Sequence, residues 1–294
     1  MQTVPEQVQA GKLVCPLDHG RLRLGDTDLT AESARRYPLV NGIPWLTPTP
    51  ETLDAYLKEN NNKMVREYEK AARTPAFQNF VAKLKAKLFS RLERRARGAE
   101  SARAEATVTA LGQGNTLCLS IGGGPTRYAG FTNINIGPFQ NVDIVGDAYA
   151  LPYADNSVDA IICEAVLEHL EFPEKAVNEM YRTLKPGGQG YINTPFLQPY
   201  HGYPNHFQNW SLPGHERLFV RAGFTVLSSG SSAGPSHVLY HMVECFLGNY
   251  SKYRRINSGI ELAALAVANL LPAHVKDHPW AHVMASSTYV HISK

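Results

Sequence analysis

Cysteine is scarce in this sequence: Cys15, Cys118, Cys163 and Cys245 are all there is in 294 residues. No two of them form a CxxC pair, so neither a disulfide framework nor a thiolate zinc site is indicated, and a reducing cytoplasm is the expected compartment. Charge of one sign is scarce as well. A formal net charge of +3 is too small to argue for a nucleic-acid partner, which needs a concentrated basic face. Long apolar runs are also missing. Residues 1–12 are polar, without the apolar centre of a secretion signal, and the most apolar late stretch, 260–271, is too short to cross a bilayer. These absences argue for a globular chain outside the membrane, and a hydrophobic content of 44% can fill a core at this length.

Residues 12–46 read as a small β-rich unit in which Leu13-Val14, Leu22-Arg23-Leu24 and the stretch 37–45 are separated by Gly and Asp turn signals. A proline-rich linker, 47–50, leads into a stretch, 51–110, that reads as helical. Within it Val81, Leu84, Leu88 and Leu92 repeat at helical spacing. Lys83, Lys85, Lys87, Arg91, Arg94, Arg95 and Arg97 surround that stripe. They suit either a basic face for an anionic partner or, the favoured reading, the solvated side of a helix docked by its stripe. From Thr116 short apolar strands alternate with helices, the pattern of an α/β protein whose mostly parallel sheet is covered on both faces. Strands are expected at 116–121, 132–136, 143–145, 160–163, 190–193, 225–228 and 286–292. Helices are expected at 173–184 and 212–222, the first closed by Lys185-Pro186-Gly187-Gly188.

An ordered series of marks runs through the first five of those strands. Ser120-Ile121-Gly122-Gly123-Gly124 follows an apolar strand, then come Gly146-Asp147-Ala148 with Leu151-Pro152, the segment from Val158 to Glu164, Leu167-Glu168-His169, and Leu184 to Gly188. This order resembles the core of class I S-adenosylmethionine-dependent methyltransferases. The resemblance implies a doubly wound, seven-stranded sheet over 111–294 whose last strand inserts antiparallel at the edge, with S-adenosylmethionine as co-substrate. In such sheets the ligand lies beyond the carboxyl ends of the strands, where the winding reverses. By resemblance Gly122, Gly123 and Gly124 pass under the methionine part, Asn135 meets the ribose, Asp147 and Ala148 meet the adenine, and Glu164 and His169 border the same crevice. On the residues alone, Asp147 could equally serve a turn and His169 could be structural. The family's acids before the glycine turn and at the ribose are Ser120 and Asn135 here, which removes negative charge near a cationic ligand. The crossover from Gly124 to Thr132 is also too short for a full helix.

A second resemblance covers 1–50. Leu13-Val14-Cys15-Pro16-Leu17-Asp18-His19-Gly20, Leu29-Thr30-Ala31-Glu32-Ser33 and Tyr37-Pro38-Leu39-Val40-Asn41-Gly42-Ile43-Pro44 resemble the short zinc-ribbon family that activates certain methyltransferases. Only Cys15 survives of its four cysteines, with Asp18, Thr30 and Ser33 at the other matching positions. A metal-free ribbon kept as a docking element is expected, followed by a helical cap over 51–110.

The loop that follows the fifth strand of the series, 193–210, is rich in Pro, His and aromatic residues. Methyl transfer needs an in-line nucleophile, often a base, and gains from aromatic faces near the sulfonium. Tyr200, His201, Tyr203 and His206 are therefore the catalytic candidates, against an equal reading of the loop as a packed lid. No metal is expected, because no acid or cysteine accompanies His201 and His206 at ligand spacing. His237 and His241, in a tail that suits a pocket cap, are read as core or surface residues. The leading functional reading is a methyltransferase of a small molecule from secondary metabolism or glycan biosynthesis, with oligomeric state left open. One alternative is cyclisation of S-adenosylmethionine to azetidine-2-carboxylate with release of methylthioadenosine, since Ser120 offers no carboxylate to hold the α-amine protonated. Another is a non-catalytic partner or RNA-binding subunit.

Overall fold

A computed structural model describes residues 2–47, 80–114, 116–202, 205–252, 254–271 and 273–294, without the side chains of 80–83, 254–255 and 273. The linker expected after Thr47, the helical reading of 51–79, the Val81 and Lys83 side chains, and Tyr203 lie outside the described residues.

The strands join in one eleven-stranded sheet. In chain order they are β1 (Leu22–Leu24), β2 (Asp28–Ala31), β3 (Arg36–Val40), β4 (Ile43–Leu46), β5 (Cys118–Ile121), β6 (Phe131–Asn135), β7 (Ile144–Gly146), β8 (Val158–Glu164), β9 (Leu184–Pro195), β10 (Thr225–Ala233) and β11 (Ser287–Ser293). Their spatial order is β1-β2-β3-β4-β7-β6-β5-β8-β9-β11-β10. The expected seven strands become eleven because β1 to β4 form an antiparallel meander whose last strand pairs in parallel with β7, Trp45 opposite Val145. Leu13 and Val14 make only isolated bridges, to Tyr153 and Arg21. β11 runs antiparallel between β9 and β10, so β10, and not the final strand, is the edge.

Seven helices are described: α1 (Val4–Gln9), α2 (Phe80–Ala96), α3 (Ala99–Ala110), α4 (Pro173–Thr183), α5 (Leu212–Arg221), α6 (Pro235–Tyr250) and α7 (Arg254–Leu270). α4 ends at Thr183, one residue short of its expected end, and Lys185-Pro186-Gly187-Gly188 enters β9 directly instead of forming a separate turn. An irregularity in the pairing between Val158 and Ala160 absorbs the change.

Alternation along β5 sorts the core. Leu119 and Ile121 share one face with Ile161, Cys163 and Ile192, under Ala176, Val177 and Met180 of α4 and Phe219 of α5. Cys118 shares the other with Ala160, Ile162 and Tyr191, under Ala104 and Val108 of α3. No helix connects β5 to β6 or β6 to β7. The apolar side of that half is covered instead by Leu13, Leu29, Tyr37 and Leu46 of the N-terminal unit. Gln7 fastens the two together: its amide donates to Thr132 Oγ1 at 2.9 Å and accepts from the Tyr153 hydroxyl at 2.8 Å, all three groups buried. At the positions where a ribbon would carry thiolates, the Cys15 thiol meets the Tyr37 hydroxyl at 3.1 Å. Hydrogen bonds from Cys15, then Ser33 and the Gly20 N–H, hold the Asp18 carboxyl down to about 2.

The basic helix behaves as a docked helix. Leu92 of α2 packs on Tyr240 of α6 and on Leu265 and Ala268 of α7. Lys85 pairs with Glu261 at 2.6 Å and Glu244 at 3.3 Å, so that charge faces acids of the same helix pair.

Candidate functional site

The winding of the sheet reverses between β5 and β8, and the glycine turn leaves β5 at that point. Gly122 has φ +69°, a region open to glycine, and a Cβ there would lie 2.2 Å from Val166 Cγ2. A Cβ on Gly123 would lie 2.6 Å from Ser120 Oγ. The turn is thus pressed onto its own support: Val166, from the loop after β8, and Ser120, from the strand below. Asn133 supplies more of that support, its Nδ2 donating to the Gly124 and Asn141 carbonyls at 3.0 Å each. Nothing in the sequence marked Asn133, since a polar residue inside a short strand reads as neutral.

Asn135 ends β6 next to Val145 of β7 and is 6% exposed. Its Oδ1 accepts from the Gly137 N–H at 3.1 Å. Asp147 follows β7; Oδ1 accepts from the Tyr149 N–H at 2.9 Å, and burial pushes its carboxyl up. The turn role foreseen for Asp147 is present, and it uses one oxygen. Arg182 secures the loop beyond it, donating to the Leu151 and Tyr153 carbonyls at 2.9 and 2.6 Å and to both oxygens of Glu179. Glu179 in turn accepts from the Leu151 N–H at 2.8 Å.

Glu164, at the end of β8, accepts from the Tyr128 hydroxyl and from Asn193 Nδ2. It borders a cavity of about 300 Å³ whose polar walls include Glu93, Arg97, Glu105, Tyr128, Tyr191, Asn193 and His237. Arg97 pairs with Glu105, which leaves Glu93 and Glu164 as surplus negative charge. Among the described residues, unpaired acids thus reach this cavity from α2 and β8. The walls come from segments far apart in sequence, which is why no motif announced them.

The loop after β9 folds against the short 3-10 turn Leu167–His169, with the Phe207 N–H donating to the Glu168 carbonyl at 2.8 Å. Of the catalytic candidates, Tyr200 stacks on His206 with ring centres 5.9 Å apart and is 74% exposed. His201 and His206 have ring centres 4.2 Å apart, and His169 stands edge-on to His201 at 5.3 Å. Ala148 packs against the main core. His169 meets this loop through the His201 ring and the Asn205 carbonyl. The acid that the sequence around His201 lacks arrives from elsewhere: Glu168 Oε1 is 3.8 Å from Nε2 of both His169 and His201. The neighbouring Glu168 carboxylate raises His201, while burial lowers His169.

Residues 131–192 match the family described as a methyltransferase domain. The segment from β6 into β9 is methyltransferase-like. The chain is 52% identical over 46 residues to the demethylmenaquinone methyltransferase of Renibacterium salmoninarum, covering 16% of this chain and 19% of that protein. Over 69 residues it is 42% identical to the ubiquinone/menaquinone biosynthesis C-methyltransferase UbiE of Klebsiella pneumoniae, 22% of this chain and 28% of that one. The chain thus matches less than a third of the length of these curated relatives. Among solved structures, the cyclase SpnF aligns over 67% of this chain and 82% of its own, at 22% identity and a TM-score of 0.43. No helix among the described residues is long and apolar enough to cross a membrane.

Proposed function

We propose that this protein is an S-adenosylmethionine-dependent methyltransferase acting on a small molecule of secondary metabolism or glycan biosynthesis. One observation carries this reading: a glycine turn at the winding reversal, with Asn135, Asp147 and Glu164 at the same carboxyl edge, three of them in or beside the methyltransferase-like segment. Asp147 has its second carboxylate oxygen to accept from the adenine amine, and Asn135 has Nδ2 to offer a ribose hydroxyl. Glu164 and the acidic cavity beside it suit the cationic end of the cofactor or a cationic acceptor. Ser120, under the turn, shapes the floor. The loop bearing Tyr200, His201, Tyr203 and His206 orients the acceptor, and the metal-free ribbon-like unit over 1–50 serves as a docking element.

Calorimetry with S-adenosylmethionine and S-adenosylhomocysteine tests the cofactor, and mass spectrometry of reactions with and without an acceptor extract tests the chemistry. Binding together with acceptor-dependent S-adenosylhomocysteine is expected. Methylthioadenosine formed without any acceptor would replace methyl transfer by cyclisation of the cofactor. A folded protein that binds neither compound would overturn the enzymatic reading.

A further inference from the structure

The side chain of Glu168 is in an environment that its own protein neighbours do not explain. It is 0% exposed, and among the described residues neither carboxylate oxygen has a hydrogen-bond partner. A carboxylate taken out of water without a partner costs several kcal/mol, so a group in this position normally holds a cation or a proton. Nε2 of His169 and Nε2 of His201 both stand 3.8 Å from Oε1, too distant for a hydrogen bond.

The tautomers follow from what the other ring nitrogens do. His169 Nδ1 contacts the Asn205 carbonyl oxygen, and His201 Nδ1 contacts the Pro199 carbonyl oxygen at 3.0 Å. A carbonyl can only accept, so both Nδ1 atoms carry the proton and donate it. In the neutral rings both Nε2 atoms are then bare lone pairs. With both rings neutral, two lone pairs and a buried carboxylate converge, and the three donor atoms lie within 4.8 Å of one another. Imidazoles anchored through Nδ1–H to backbone carbonyls are a recurrent support for metal ligands. With metal–ligand bonds of about 2.0–2.2 Å, tetrahedral ligands stand roughly 3.4 Å apart, so closing this set on an ion takes a few tenths of an ångström at the two 3.8 Å separations and up to about 1.4 Å between the two imidazoles, a movement open to the His201 loop.

We infer that Glu168, His169 and His201 form a binding site for one divalent transition-metal ion, preferably Zn2+. Two imidazoles and one carboxylate suit zinc and its neighbours better than magnesium or calcium, which prefer oxygen. Three protein ligands leave a fourth position open to water or to an oxygen of a bound molecule. His206 supports the set and does not join it: Nδ1 accepts from the His201 N–H at 3.2 Å, and Nε2 bonds Asn209 Oδ1 at 2.7 Å. With an ion in place His201 is a ligand and no longer a free base, so proton loss by an acceptor hydroxyl would be assisted by the ion instead. The absence of a metal expected from sequence rested on local spacing, whereas the acid comes from the other side of α4 and β9.

The test uses the full chain, without a histidine tag, stripped with a chelator and titrated with Co2+ followed by Zn2+ under visible absorption. One Co2+ per chain is expected, with bands of nitrogen and oxygen coordination that one equivalent of Zn2+ abolishes. Glu168→Gln and His201→Ala should each weaken binding roughly tenfold or more with an unchanged circular dichroism spectrum, while His282→Ala leaves it as it was. His201→Ala, in a surface loop, keeps the test informative if Glu168→Gln does not fold. A folded wild-type chain that takes up no stoichiometric metal, or binding that survives both substitutions, overturns the site. Because the readout involves neither cofactor nor acceptor, its outcome is separate from that of methyl transfer.

Discussion

Replacing Gly122 by alanine probes whether the glycine turn is held by its contact with the loop after β8. Two costs are written into the position. The residue has φ +69°, where a side chain costs about 1–2 kcal/mol. The new methyl would also lie 2.2 Å from Val166 Cγ2 and 3.3 Å from both Cβ and Cγ1. Rotation about χ1 exchanges one γ-methyl for the other, so a stiff, β-branched side chain has no easy escape, and overpacking of this kind costs about 1–3 kcal/mol. Gly122→Ala should therefore destabilise the fold by roughly 2–5 kcal/mol. Val166→Ala, at a half-buried site, should cost about 1 kcal/mol alone. In the double variant both γ-methyls are gone and chiefly the backbone cost remains, so the two substitutions should be non-additive by about 1–3 kcal/mol in the relieving direction. Urea denaturation followed by circular dichroism gives the four stabilities, and the affinity for S-adenosylmethionine should recover in parallel. Additive losses in the double variant would show that the close approach of the turn to Val166 is not what makes glycine necessary.

Burial lowers His215 to about 3, with Thr194 and Thr288 hydroxyls beside its Nδ1 and no partner on Nε2. An unfolded histidine titrates near 6.5, so the unfolded chain binds the extra proton: the stability is whole above about pH 6.5 and falls toward pH 3, by about 2 kcal/mol at pH 5. Urea midpoints measured against pH should show this acid limb, shallower in His215→Phe. Arg182→Lys cannot reproduce the paired contacts to Glu179 and two carbonyls, and should lose about 2–3 kcal/mol, close to Arg182→Ala, in the same denaturation assay. Tyr191→Phe removes the 2.7 Å bond to Ser101 that ties α3 to β9. It should cost about 1 kcal/mol, and adding Ser101→Ala should cost little more. Asp147→Asn keeps an acceptor for the Tyr149 N–H but loses the charge, so calorimetry should show S-adenosylmethionine binding weakened about tenfold with stability nearly intact.

The sequence was most legible where one element carries one pattern. The order of motifs from β5 to β9 located the parallel strands because each is a short apolar run bounded by turn residues, and the stripe Leu84, Leu88, Leu92 located α2. It was least legible where function is assembled across the fold. His169 borders the cofactor crevice by resemblance alone, and the ring it meets edge-on belongs to His201, on a loop that returns only after β9. Glu93 and Glu105 of the cavity sit on helices whose charges read as solvated, because helical periodicity says which residues share a side and nothing about which loop covers it. Chain order also could not show that the final strand lies inside the sheet, since β10 and β11 differ in position only through tertiary pairing.

The N-terminal unit supports more of the sheet than an appended docking element would. With no crossover helix between β5, β6 and β7, the apolar side of those strands would meet water without Leu13, Leu29, Tyr37 and Leu46. β4 pairs with β7 up to Leu46 opposite Gly146, one residue before Asp147, and α1 reaches β6 through Gln7 and Thr132. Asn135 and Asp147 are thus held at the ends of strands whose outer support is the first 47 residues. The support comes from apolar packing, strand pairing and three buried hydrogen-bonding side chains, none of which needs a metal. A substitution inside the N-terminal unit therefore reaches Asn135 and Asp147 through β4 and β7.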